Sequence, residues 1–188
     1  GVTVEAGRLV LGSNTALGRG TTVTVLSGAS LDINNTYHGN ADNGARRFNV
    51  VLAGAGDGTA ANPALANTNG TGPNASVGIF NLTLAANATF GGNGGRFDIG
   101  RVEGSEAYGA ISSAAGQTYT LTKVGTNQVN LRGRVSDLAL VVNGGTVGFE
   151  DSDVGASVSA TVNTGASVGS FGGRLQVQGD MVFGGSSP

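Results

Sequence analysis

The sequence predicts an all-β chain wound as a right-handed parallel β-helix, a β-solenoid formed as a single stack of roughly seven to nine coils with protruding loops. Three observations carry this expectation. Glycine fills 35 of 188 positions, proline only 3, and charged residues make up 12%. Val, Thr, Asn and Ser dominate while the helix formers Glu, Lys, Gln and Met are scarce, which excludes a helical bundle or coiled coil. Short runs alternate with period two, as in Val2-Thr3-Val4, Val23-Thr24-Val25, Leu31-Asp32-Ile33 and Leu82-Thr83-Leu84. Alternation of that kind is the pattern of half-buried strands.

The strands are joined by a recurring unit: an apolar residue, two small or polar ones, Gly or Asn, then a short strand. Val4-Glu5-Ala6-Gly7 leads to Leu9, Val25-Leu26-Ser27-Gly28 to Leu31, and Leu84-Ala85-Ala86-Asn87 to Phe90. Val142-Asn143-Gly144-Gly145 leads to Val147, and Val162-Asn163-Thr164-Gly165 to Val168. Gly and Asn tolerate the left-handed conformation of a tight corner. A longer echo links Phe90–Ile99 with Phe171–Val177. Coils of about 20 or more residues, rising ~4.8 Å each, give a rod roughly 35–45 Å long. A Gly-rich antiparallel sandwich or jelly roll is the rival, and the scarcity of Asn-Gly hairpin dipeptides argues against it.

Residues 1–188 read as one domain with three interruptions, approximately 34–47, 53–78 and 100–117. Such loops are where function concentrates. The first, Asn34 to Arg47, holds Tyr37, His38, Asp42, Arg46 and Arg47; these, with Tyr108, are the possible ligand contacts. The charge balance is −2 without a basic run, so the chain has no footprint for nucleic acid. No apolar stretch is long enough for a transmembrane segment. Absence of cysteine excludes disulfides and cysteine-ligated metals. Low lysine and abundant Asn, Thr and Gly fit an extracellular protein.

Candidate chemistry is thin, and neither a catalytic residue nor a cofactor is expected. Gly165-Ala166-Ser167-Val168-Gly169 matches a G-x-S-x-G elbow in form, but that motif needs a strand-to-helix turn and a downstream histidine. His38 is the only histidine and lies upstream. Gly91-Gly92-Asn93-Gly94 begins like a calcium-binding nonapeptide, yet Arg96 stands where a carboxylate ligand belongs. Glu150, Asp151 and Asp153 are the weak metal candidates, read more readily as a solvated acidic loop. A polysaccharide lyase or hydrolase would need clustered carboxylates. Asp32, Asp98, Asp137 and Asp180 read instead as single outward positions. Asn34, Asn69, Asn74, Asn81 and Asn87 open Asn-x-Ser/Thr sequons.

Gly1–Asn34 resembles the autotransporter-associated β-strand repeat of bacterial surface proteins. The resemblance rests on Thr3-Val4-Glu5-Ala6-Gly7, Leu9-Val10-Leu11-Gly12-Ser13-Asn14-Thr15-Ala16-Leu17-Gly18 and Gly28-Ala29-Ser30-Leu31-Asp32. Leu82–Ile99 and Leu121–Gly133, which opens with Leu121-Thr122-Lys123-Val124-Gly125, resemble further segments. The resemblance covers about half the chain and implies a secreted or surface-displayed β-helix without catalytic residues. A C-terminal translocator barrel is not present in this sequence, which leaves the export route open. Neither end reads as capped, so edge strands are expected to stack on another subunit, head to tail, or on adjoining repeats. Val2, Val4, Leu9, Leu11, Leu175, Val177, Met181 and Phe183 are the expected stacking positions. The expected role is a non-catalytic structural element of a fibre or surface layer, or an adhesin-like passenger segment. Loops that bind surface glycans or a host surface are the alternative.

Overall fold

Period-two alternation makes each short run a strand with one apolar edge, and such strands are stable only when the apolar residues of successive strands stack. The computed structural model describes residues 1–18, 20–36, 48–71, 77–100, 108–170 and 175–177. Among these there is no helix, and all strand pairs are parallel. The strands, β1 to β18 in chain order, pair in three ladders. The first joins β1 (Val2–Val4), β3 (Thr22–Val25), β5 (Asn49–Leu52), β8 (Asn81–Leu84) and β11 (Ala110–Ser113). It continues through the second halves of β13 (Gln128–Ser136) and β15 (Gly145–Val154) to β18 (Leu175–Val177).

The second ladder joins β2 (Arg8–Val10), β4 (Ser30–Asp32), β6 (Leu65–Ala66), β9 (Ala88–Gly91), β12 (Tyr119–Val124), β14 (Leu138–Val142) and β16 (Ser159–Val162). The third joins β7 (Gly78–Ile79), β10 (Phe97–Ile99), the first halves of β13 and β15, and β17 (Ala166–Ser170). Because β13 and β15 run through both, the first and third ladders form one 11-stranded curled sheet beside the 7-stranded second. This parallel layout is compatible with a β-solenoid.

Register turns the ladders into columns. Val2, Val23, Val50, Leu82, Ile111, Val135, Val154 and Val177 lie over one another in the first ladder. Leu9, Leu31, Leu65, Phe90, Lys123, Val142 and Val162 do so in the second. The third carries Ile79, Ile99, Leu131 and Phe149. Val177 aside, the hydrophobic members form or pack against one continuous core, and most are wholly buried; Lys123, in the second column, is as fully buried as they are.

The recurring unit separates into two different corners. Val4 pairs with Val25 and Leu9 with Leu31, so the first copies turn from the first ladder to the second. Val142 pairs with Val162 and Val147 with Val168, so the last two copies turn from the second to the third. Both corners need the same left-handed residue, here Gly7 at φ 69° and Gly165 at φ 81°, and that shared chemistry makes them look alike in sequence.

The expected interruptions are shorter than the sequence suggests. Segment 53–78 contributes β6, with Ala64 to Asn67 buried. Segment 100–117 contributes β11, where Ile111 is fully buried. In the first, 34–36 form a turn and 37–47 lie outside the described residues. The acidic run 150–153 is part of strand β15 and not a loop. Gly100 and Gly109 lie side by side, the Gly109 N–H donating to the Gly100 carbonyl.

Glycine serves two separate needs, which a pair of substitutions distinguishes. A Cβ on Gly7 meets open space, whereas one on Gly78 collides with the backbone of Asp98 on the neighbouring strand. Gly7→Ala is therefore expected to cost about 1 kcal/mol through its positive φ alone. Gly78→Ala should cost about 1–3 kcal/mol or more as overpacking against backbone that has nowhere to move. Urea unfolding of the two variants measures the difference.

Candidate functional site

Two places hold groups that could interact with something beyond the fold. The first is the free edge. Among the described residues β1 and β2 each pair on one side only, with β3 and β4. The Val4 carbonyl accepts the Leu26 N–H at 3.0 Å, so by strand alternation the N–H and C=O of Thr3 point away from β3. A trough of about 460 Å³ runs along this edge, lined by Val2, Thr3, Val4, Glu5, Ala6, Arg8 and Leu9. Val2 and Leu9, which head two core columns, are only half-buried, and Val10 is 48% exposed. Leu11 is buried, with its N–H on the Asp32 carbonyl at 3.0 Å. Leu175 and Val177 fall in β18, at the far end of the first ladder; Met181 and Phe183 lie outside the described residues.

The second place is a charge network across three rungs of the third ladder. Phe97 and Ile99 take the inward positions of β10, so Asp98 projects outward between them, yet it has no solvent exposure. Arg96 grips it in a bidentate pair, Nε to Oδ1 at 2.8 Å and Nη2 to Oδ2 at 2.9 Å. Arg132 Nη1 donates to Asp98 Oδ2 at 3.0 Å. Glu150 then receives Arg96 Nη2 at 2.6 Å and Asn130 Nδ2 at 2.5 Å, and lies 3.2 Å from Arg132 Nη2. Arg132 Nη2 also reaches Asp151 Oδ2 at 3.5 Å.

Burial dominates the electrostatics of this cluster. It pushes the Asp98 carboxyl up to about 6, against the lowering influence of both guanidiniums. Burial also works to lower Arg96, but its pairs with Asp98 and Glu150 prevail and hold it above its ordinary value. A smaller relative sits nearer the free edge. Asp32, 1% exposed, accepts Asn34 N at 2.9 Å, Thr68 Oγ1 at 2.6 Å and the Arg8 guanidinium.

These geometries correct the reading of the aspartates as isolated outward positions. Asp32 and Asp98 do project outward from their strands, but both are buried and paired. Only Asp137 is exposed as expected, at φ 56° in a turn; Asp180 lies outside the described residues. Glu150 and Asp151 turn to the arginines while Asp153 is exposed, so the three weak metal candidates do not converge. Among the described residues no group of three or more potential ligands could hold a metal ion.

The remaining candidates disperse. Tyr37, His38, Asp42, Arg46 and Arg47 lie outside the described residues. Tyr108 is 52% exposed beside Gly133. Ser167 is exposed on β17 and shares a hydrogen bond of 2.8 Å with Thr146 across the ladder. Several sequon asparagines serve as structural pieces. Asn34 Nδ2 donates to the Leu11 carbonyl at 2.9 Å, and Asn81 Nδ2 to Asn49 Oδ1 at 2.7 Å. Asn87 Oδ1 receives Thr120 N at 2.9 Å, and Asn69 Oδ1 receives Gly70 N at 2.7 Å; Asn74 lies outside the described residues. A groove of about 200 Å³ between the first corners is lined by Gly7, Arg8, Gly28, Ser30, Asp57 and Asn62. Its Asp57 carboxyl is held below the usual range by Thr59 and Asn62.

No family model, curated protein or solved structure matches the chain.

The network is expected to be costly to break and cheap to remove as a unit. Arg132→Met leaves Asp98 buried with half its partners, which should cost about 3 kcal/mol. Combining it with Asp98→Asn should cost less than the sum of the two single changes, because the stranded charge is gone. Urea unfolding of both single variants and the double variant measures the coupling.

Proposed function

We propose that this chain is a non-catalytic structural β-solenoid of the extracellular space or bacterial cell surface, of the autotransporter-associated repeat type. In this reading it is a right-handed parallel β-helix of roughly seven to nine coils. It extends by end-to-end stacking into a fibre or surface layer, or stands as an adhesin-like passenger segment. The observation that carries the proposal is the edge of β1 and β2. Its outward backbone groups at Thr3 face away from the sheet, and Val2 and Leu9 head core columns that stay incompletely covered. A parallel strand laid on this edge would continue those columns by one rung. The occupant is a second copy, or an adjoining repeat of a longer chain. Exposed edges of this kind template further pairing.

A second reading, glycan or host-surface binding through the loops, draws support from the exposed Tyr108 ring, since aromatic faces stack on sugars. It is the weaker of the two, because Tyr108 is one residue and the edge is a whole rung.

Electron microscopy of the protein across a dilution series, with sedimentation, tests the stacking. Unbranched filaments are expected at high concentration. Thr3→Pro should abolish them while leaving the urea midpoint nearly unchanged, because proline removes a donor only from the free side. Discrete short rods at every concentration would overturn self-assembly and favour a segment of a longer passenger.

A further inference from the structure

We propose that Lys123 makes the rungs of β12 and β14 an acid-weakened joint, the place where the stack opens first as pH falls. This goes beyond the proposed role and does not depend on what covers the edge of β1.

The geometry is that of a cation placed inside an apolar column. Alternation along β12 sends Leu121 and Lys123 inward, and both have no solvent exposure. Lys123 lies between Phe90 of β9 and Val142 of β14 in register. Its Nζ is the donor to three carbonyls: Val124 at 2.8 Å, Gly125 at 3.1 Å and Gly144 at 3.4 Å. Two of these belong to its own corner and the third to the corner of the next rung, so one ammonium spans the junction. Glycine at 91 keeps this junction tight: a Cβ there would collide with the Val124 carbonyl oxygen and lie 3.0 Å from Nζ.

Among the described residues no carboxylate answers this charge. β9 and β14 contain no titratable side chain, and on β12 itself the other titratable group is Tyr119. On β15, Glu150 and Asp151 are committed to Arg96 and Arg132, and Asp153 is exposed. Across the corner, Arg96 faces Asp98 and Glu150. With no carboxylate to oppose it, burial outweighs the three carbonyls and pushes the ammonium from its ordinary 10.5 down to about 7.

The sign follows from linkage. In the opened rung the amine is solvated and keeps its proton up to about 10.5; in the closed rung it holds the proton only below about 7. Between those values the opened form binds the extra proton, so each unit of falling pH raises the opening constant by about tenfold. Below the lower value both forms are protonated and the dependence flattens. This is the reverse of a lysine that gains a carboxylate partner, whose folding contribution is lost as pH rises.

The test is urea unfolding between pH 6 and 10, with hydrogen exchange of the β12 and β14 amides corrected for intrinsic rates, on the wild type and Lys123→Met. Wild-type stability should climb from pH 7 to 10, and β12 and β14 should be the most pH-sensitive amides. Lys123→Met, similar in length but uncharged, should lose that gradient and be at least as stable at pH 7. Parallel pH profiles for the two proteins would overturn the proposal. If the variant does not fold, an NMR titration of the wild-type Lys123 side chain decides the matter. A midpoint near 7 supports the joint, and one near 10.5 overturns it.

Discussion

In a parallel ladder the backbone hydrogen bonds decide which residue lies over which, and every inward position is then committed to a column. That register is the constraint on which the rest of this structure depends. A column such as Val2, Val23, Val50, Leu82, Ile111, Val135 and Val154 is stabilised by like packing on like at one strand spacing. A slip of one residue would send the whole set to the other face. The corners serve this register. Gly7, Gly28 and Gly165 adopt positive φ with no atoms near a would-be Cβ, while Gly78, Gly100 and Gly109 stand where adjacent backbones nearly touch.

Much of this was legible in the residues. Period two located β1, β3, β4 and β8, and the apolar-to-glycine spacing located the first corners, because both signals are local. What sequence could not separate were the two corner types, since Gly7 and Gly165 solve the same dihedral problem at different places in the stack. The short strands β6 and β11 were hidden for another reason. In the Gly/Ala/Asn-rich background of 53–78, the two paired residues Leu65 and Ala66 are too few to show a period.

The charge network was missed because it is assembled by register and not by neighbourhood. Arg96 and Asp98 are two apart, but Arg132 and Glu150 arrive from the next two rungs. Lys123 differs: it shares the inward face of Leu121 two residues before it, a placement that its charge conceals in the sequence. Both features hold ionisable groups away from water, so the fold gives up stability at Asp98 and Lys123. Asp98 recovers part of it through two guanidiniums, and Lys123 through three carbonyls alone.

The hydrogen bond that closes Gly100 on Gly109 has a consequence for how much change the chain tolerates. A segment whose two ends meet at one point can be lengthened, shortened or replaced without displacing the rung above or below it, because the register resumes where it paused. Loop-closure entropy changes only slowly with such insertions. Sequence inserted between Gly100 and Gly109 would therefore leave the stacked interior undisturbed. For engineering, the pinch marks a natural point for grafting a foreign epitope or a small domain.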